Sequence, residues 1–171
     1  MKFALLFIGI GFILGILFIA GPGGKTRLET LLKYPHPLPQ INFSTLELQE
    51  KPNQFLVCSD DLCKNETPHL TAPAFEIEAR RLRQIFRTMA LEQTDTTLVH
   101  QDDHILQDDY VARTKWMRYP DIVTVKFVEL GGGRSTFALY SRSVYGHSDF
   151  GVNEKRVTDW LSKLDDALPK T

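Results

Sequence analysis

The first twenty residues constrain this chain more than any other feature. From Phe3 to Ala20 there are eighteen consecutive residues without a charge, nearly all Leu, Ile, Phe, Gly or Ala. As a helix the run covers roughly 27 Å, close to the hydrocarbon thickness of a thin bilayer. It carries no polar face, which a helix on a soluble core would need. A signal peptide has a shorter apolar stretch and ends in a small-x-small cleavage site. Here a cut after Ala20 puts Phe18 at the minus-three position, and a cut after Gly21 leaves Pro22 directly behind it. Neither suits cleavage. The run is therefore read as an uncleaved single-pass anchor, residues 1–21, with membrane lipid as its partner.

Lys2 and the free amino group precede the run, while Lys25, Arg27 and Lys33 follow it. Counting positive charges slightly favours a cytoplasmic domain. The short basic head before an apolar run is the layout of an exported protein, and export to the periplasmic side is the expectation adopted. The remainder, about 150 residues, is enough for one ordinary core and too short for two. Net charge is −1, from 20 Lys and Arg against 21 Asp and Glu. Such a balance leaves no net basic footprint for phosphates, so nucleic acid is not expected as a partner. No cofactor motif is recognised.

Gly21-Pro22-Gly23-Gly24 breaks any helix, and Thr26 to Leu32 allows only a turn or two. Tyr34-Pro35-His36-Pro37-Leu38-Pro39 reads as an extended spacer. Residues 22–51 are thus expected to be a linker and residues 52–171 the folded domain. Pro73 to Gln93 predicts a helix starting at Pro73, with Phe75, Ala79, Leu82, Phe86, Met89 and Ala90 as its buried stripe. Arg80, Arg83 and Arg87 lie opposite, read as a solvated face or as contacts for anionic lipid. Strands are predicted at Thr96–His100, around Ile105, at Asp109–Met117 with Trp116 on one face, and at Ile122–Leu130 and Ser135–Val144 around the turn Gly131-Gly132-Gly133. Val152 to Leu168 closes the chain as a helix capped by Asn153. The fold class expected is α+β: an antiparallel sheet of four to five strands, two main helices on one face, and the N-terminal transmembrane helix.

Chemistry-bearing residues concentrate between the last strand and the last helix. Arg142, Ser143, His147, Ser148, Asp149, Asn153 and Arg156 are the candidate binding residues. A helix start with nearby cations suits a small anion. The same residues also suit a rigid connection, in which Asp149 caps or pairs and the glycines permit turns. An enzyme acting on an anionic substrate, with His147 as acid or base and Arg142 or Arg156 as clamp, is the alternative. A Ser-His-Asp triad is disfavoured, since such close neighbours on one loop rarely aim at one point. Asp102, Asp103, Asp108 and Asp109 with His100 and His104 are either solvated acids or a hard-cation site. Cys58 and Cys63 are spaced for a local disulfide; a metal site with His69 is the sharper reading, and it lacks a fourth ligand.

Gly146-His147-Ser148-Asp149-Phe150-Gly151-Val152-Asn153-Glu154-Lys155-Arg156 resembles the signature Gly-x-Ser-Asp-x-Gly-x-Asn-x-x-Arg of a bacterial and plastid family, domain of unknown function family 1499. Pro120-Asp121 and Pro52-Asn53 resemble two further steps of its pattern, and the likeness runs from Pro52 to Leu164. Members carry Arg where this chain has Val144, two residues beyond Arg142. The resemblance implies the domain boundaries and an association with envelope-type membranes, and it implies no activity. The combined expectation is a membrane-anchored binding or scaffold module that meets an envelope partner or a lipid surface.

Overall fold

The computed structural model describes Gly21 and residues 23–169. Residues 3–20, on which the anchor expectation rests, lie outside them. Among the described residues no helix is long and apolar enough to cross a membrane.

Among the described residues the fold is α+β, built on one six-stranded mixed sheet with three α-helices. Its centre is the Gly-linked hairpin, β5 (Pro120–Gly131) and β6 (Arg134–Ser143). Gly131, Gly132 and Gly133 all hold positive φ there, backbone that a side chain would strain. β4 (Gln107–Arg113) pairs antiparallel with β5, and β3 (Thr96–Asp102) pairs antiparallel with β4. On the other side β1 (Gln54–Cys58) runs antiparallel to β6, and the two-residue β2 (Leu70–Thr71) lies parallel to β1. The helices are α1 (Gly24–Leu31), α2 (Ala79–Glu92) and α3 (Val152–Ala167).

The sheet thus has more strands than expected and is not wholly antiparallel. β1 escapes a pattern search because all five residues of Gln-Phe-Leu-Val-Cys are buried, so no alternation marks it. The segment around Ile105 is the exposed turn between β3 and β4. Residues 114–119 lie in the connection after β4, and Pro120 opens β5, the position where a strand tolerates proline. α2 begins at Ala79, not at Pro73. Phe75 instead exchanges backbone hydrogen bonds with Ser135 at 2.8 and 2.9 Å, which holds that stretch extended along β6. The Glu129 carboxylate accepts from Ala79 N at 2.7 Å and caps the helix from a strand.

Both sheet faces are covered. α2 and α3 lie on the inner face, where Phe86 meets Phe127 and Trp160 edge-on at 5.5 and 5.9 Å between centroids, with Val123, Leu139, Val157 and Leu164 around them. A smaller core on the outer face joins Phe43, Leu46, Leu56, Cys63, Ala138 and Tyr140. Phe43 and Leu46 come from residues 22–51, the stretch read as a linker. That stretch therefore packs: their apolar burial fixes residues 41–48 across β1 and β6. Cys58 and Cys63 form a disulfide within this outer core. Their sulfurs are used by each other, and the His69 ring nitrogen Nδ1 accepts from Leu56 N at 3.0 Å, so the metal reading of these three residues fails.

The arginine face of α2 also differs from its two readings. Arg83 and Arg87 both reach the fully buried Asp108 of β4, at 2.7 and 2.8 Å. Tyr110 donates to the same carboxylate at 3.1 Å. Only Arg80 and Arg81 remain on an exposed face. Asp108 and Asp109 are neighbours on a strand and so point to opposite faces. Asp109 meets His100 at 3.1 Å and Thr124 Oγ1 at 2.6 Å on the outer side. The acids are thereby divided, and no group of metal-ligating residues occurs among the described residues.

Candidate functional site

β6 ends at Ser143 and α3 starts at Val152, and the polar loop between them is closed from within. Asn153 is completely buried in the first turn of α3. Its side-chain amide donates toward Asn53 O at 3.1 Å, Ser143 Oγ at 3.0 Å and Asp149 at 2.7 Å. Its carbonyl oxygen accepts from Ser141 Oγ at 2.6 Å and from Arg156 at 2.8 Å. Arg156 continues to the buried Asp121 at 2.5 Å. Asp149 accepts from Gly151 N at 3.1 Å and from Asn153 N at 2.7 Å, satisfying donors that the helix start leaves open. Asn53 donates to Gly146 O at 2.9 Å. These bonds tie β1, β5, β6, the loop and α3 into one clasp.

The sequence expectation that Asn153 caps α3 is thereby corrected. Gly151 stands at the cap position with φ 78°, and Asp149 supplies the capping oxygen. The residues named as an anion or catalytic site are only partly brought together. Asp149, Asn153, Ser143 and Arg156 meet in the clasp, their polar atoms already partnered. Arg142 is on the opposite sheet face: it donates to Thr124 Oγ1 at 3.3 Å and lies over the Tyr140 ring at 4.9 Å. Burial pushes its pKa below the usual arginine value, against the favourable charges of Tyr140 and Asp109. Arg142 and Arg156 thus form no common clamp. Ser148 Oγ accepts from Phe150 N at 3.2 Å, and His147 is exposed at the loop tip. Neither serine is aligned with His147 and Asp149 as a triad.

What the clasp does hold is a cleft of about 710 Å³ between the 114–119 connection and the loop after β6. Trp116, Met117, Tyr119, Tyr145, Phe150 and Val152 line it, all exposed. Trp116 is 80% and Phe150 96% exposed. Phe150 is also held at φ 54°, a left-handed backbone that costs a bulky residue on the order of 1–2 kcal/mol. Leu32, just after α1, also lines it, as do polar residues including Lys115, Asp121, Ser143 and Asp149. The walls are fixed. Arg118, buried behind the Trp116 connection, pairs with Glu29 of α1 and with Asp95 at 2.7 Å. Arg113 donates to Leu32 O at 3.1 Å and Arg118 O at 2.8 Å, and Tyr145 OH donates to Lys33 O at 2.5 Å.

The aromatic rim was not legible as a site. Alternation placed Trp116 on a strand, although the Tyr119-Pro120 break immediately after it is the signal that the strand has already ended.

A comparison with family profiles matches residues 46–164 to the family described as Protein of unknown function (DUF1499). The chain belongs to that family. No curated protein and no solved structure matches it. In this DUF1499 domain Asp149, Asn153 and Arg156 of the Gly146–Arg156 motif belong to the clasp, and Phe150, between them, stands out into solvent.

Proposed function

We propose that this DUF1499 chain is a membrane-tethered binding module, held by residues 3–20 and working at the bilayer surface on the exported side. Its binding site is the aromatic-rimmed cleft, and the motif beside it acts by holding the rim in place. The observation that carries this reading is the exposure of Trp116 and Phe150 on walls that buried ion pairs and the clasp make rigid. A fold gains nothing from exposing large apolar groups together, and concave sites of this size bind apolar or amphiphilic groups. The Cys58–Cys63 disulfide supports an oxidising compartment, hence export.

The alternative enzyme on an anionic substrate, with His147 as acid or base and Arg142 or Arg156 as clamp, is the weaker reading: Arg142 lies on the outer sheet face beside Thr124, and Arg156 is engaged by Asp121. The test is a photo-crosslinking amino acid placed at Phe150 in membranes of the producing cell, with Leu91, exposed on α2 and outside the cleft, as control. The reading expects a discrete adduct at Phe150 only. Equal labelling at both positions, or none at Phe150, contradicts it.

A further inference from the structure

We infer that the occupant of the cleft is lipid of the same bilayer that holds residues 3–20, so that the domain docks on the membrane with its aromatic rim immersed. This rests on the tethering proposed above and adds the ligand class and the orientation.

Three observations converge on lipid rather than on a soluble partner. First, the chain leads from the apolar run straight to the cleft. α1 has eight residues, about 12 Å of helix, and Leu32 beyond it lines the cleft. Gly21 to Gly23 add at most about 10 Å. The cleft is therefore within roughly 20–25 Å of Ala20 along the chain. Arg118–Glu29 and Arg113–Leu32 fix α1 to the Trp116 connection, so this proximity is built in and does not depend on a loose linker.

Second, the rim has the composition of a membrane interface. Tryptophan and tyrosine favour the headgroup level, where the ring is apolar and its polar tip stays wet. Trp116, Tyr119 and Tyr145 are exposed on one cleft, with Tyr119 and Tyr145 rings 6.2 Å apart. Phe150 and Met117 add fully apolar groups. Lys115 lies 5.8 Å from the Trp116 ring, and Lys33 is exposed next to Leu32. Long basic side chains beside apolar groups extend to phosphate headgroups while their stems stay in the interface.

Third, Phe150 is both the most exposed of these groups and the one held in left-handed backbone. Asn or Gly there would relieve the strain, and neither would have an apolar surface to insert. Strain kept at an exposed aromatic is accounted for by an apolar phase that receives the ring.

The test uses the full chain in lipid nanodiscs of phosphatidylcholine and phosphatidylglycerol, with and without bromine on the acyl chains. Trp160 is buried in the inner core, so the Trp116 signal is the difference between the native chain and Trp116→Phe. Docking predicts that bromolipid removes at least half of the Trp116 emission and that aqueous iodide removes little. Phe150→Asp, a change at a solvent-exposed side chain, should reduce the bromolipid effect at least twofold without lowering Tm. Strong iodide quenching with no bromolipid effect means the cleft faces water and overturns the proposal. Protection from both quenchers means protein covers the cleft, a second copy or another partner, and overturns it equally. Co-elution of the chain with nanodiscs is scored separately. Its failure removes the tether itself, whereas co-elution without bromolipid quenching removes the docking alone.

Discussion

Replacing Asn153 by Ala tests whether the family motif is a clasp or a ligand site. In the folded chain its amide is buried among five polar groups, and not all are equally exposed to its loss. Asn53 O keeps its bond from Ser143 N at 3.0 Å, and Asp149 keeps two backbone donors. Arg156 keeps Asp121. The buried Ser141 hydroxyl loses its acceptor, at a cost of about 1–3 kcal/mol. Two further net hydrogen bonds of about 1 kcal/mol each disappear. The sum is about 3–5 kcal/mol, a large share of a typical domain's stability. At roughly 2–4 °C per kcal/mol for a domain of this size, Tm should fall by about 6–20 °C. Near-ultraviolet circular dichroism of the detergent-solubilised chain measures it, with His147→Ala as the exposed comparison, expected within about 0.5 kcal/mol of the parent. A loss below about 1 kcal/mol for Asn153→Ala would refute the clasp and imply that this amide is kept free for a ligand.

Three further outcomes follow from the packing. Reducing Cys58–Cys63, or changing both to Ser, removes a short loop closure worth about 2 kcal/mol, seen as a lower Tm in reductant. Asp108→Ala leaves Arg83 with Asp103 alone and takes the shared carboxylate from Arg87 and the buried Tyr110 hydroxyl, and should cost about 3 kcal/mol by urea denaturation; a neutral result would mean that the cluster is solvated. Burial raises the pKa of the Tyr110 and Tyr140 phenols, for Tyr110 with further push from Asp108. The neutral phenols are favoured by folding, so their contribution is complete below the ordinary tyrosine value of 10.0 and is lost as pH rises above it. Ultraviolet titration should show Tyr110 and Tyr140 ionising only with unfolding; ionisation of both in the folded chain near the ordinary value would contradict their burial.

The parts of the fold that face one solvent and one core were readable from sequence. The β5–β6 hairpin follows from Val- and Phe-rich runs around three glycines, and along α3 to its C-cap Val157, Trp160, Leu161, Leu164 and Leu168 recur at three-and-four spacing, the first, second and fourth buried and the other two partly so. Segments buried on both sides were not. β1 has no alternation, and Asp108 looks like a loop acid because nothing local reveals two arginines 21 and 25 residues upstream. The motif's own residues fit a connection or a site, since Asp149, Asn153 and Arg156 serve either. Which of the two holds depends on Asn53, Asp121 and Ser141, distant in sequence and close only after the sheet forms. Phe43 and Leu46 were obscured by the prolines before them, which signal extended chain but not whether that chain is packed.

The most direct measurement of the central claim is the intact mass of the protein from native membranes after alkaline carbonate extraction. A membrane-tethered module predicts the whole 19.5 kDa chain in the pellet. A mature protein that starts beyond Gly21, or one that leaves with the carbonate, contradicts the tether.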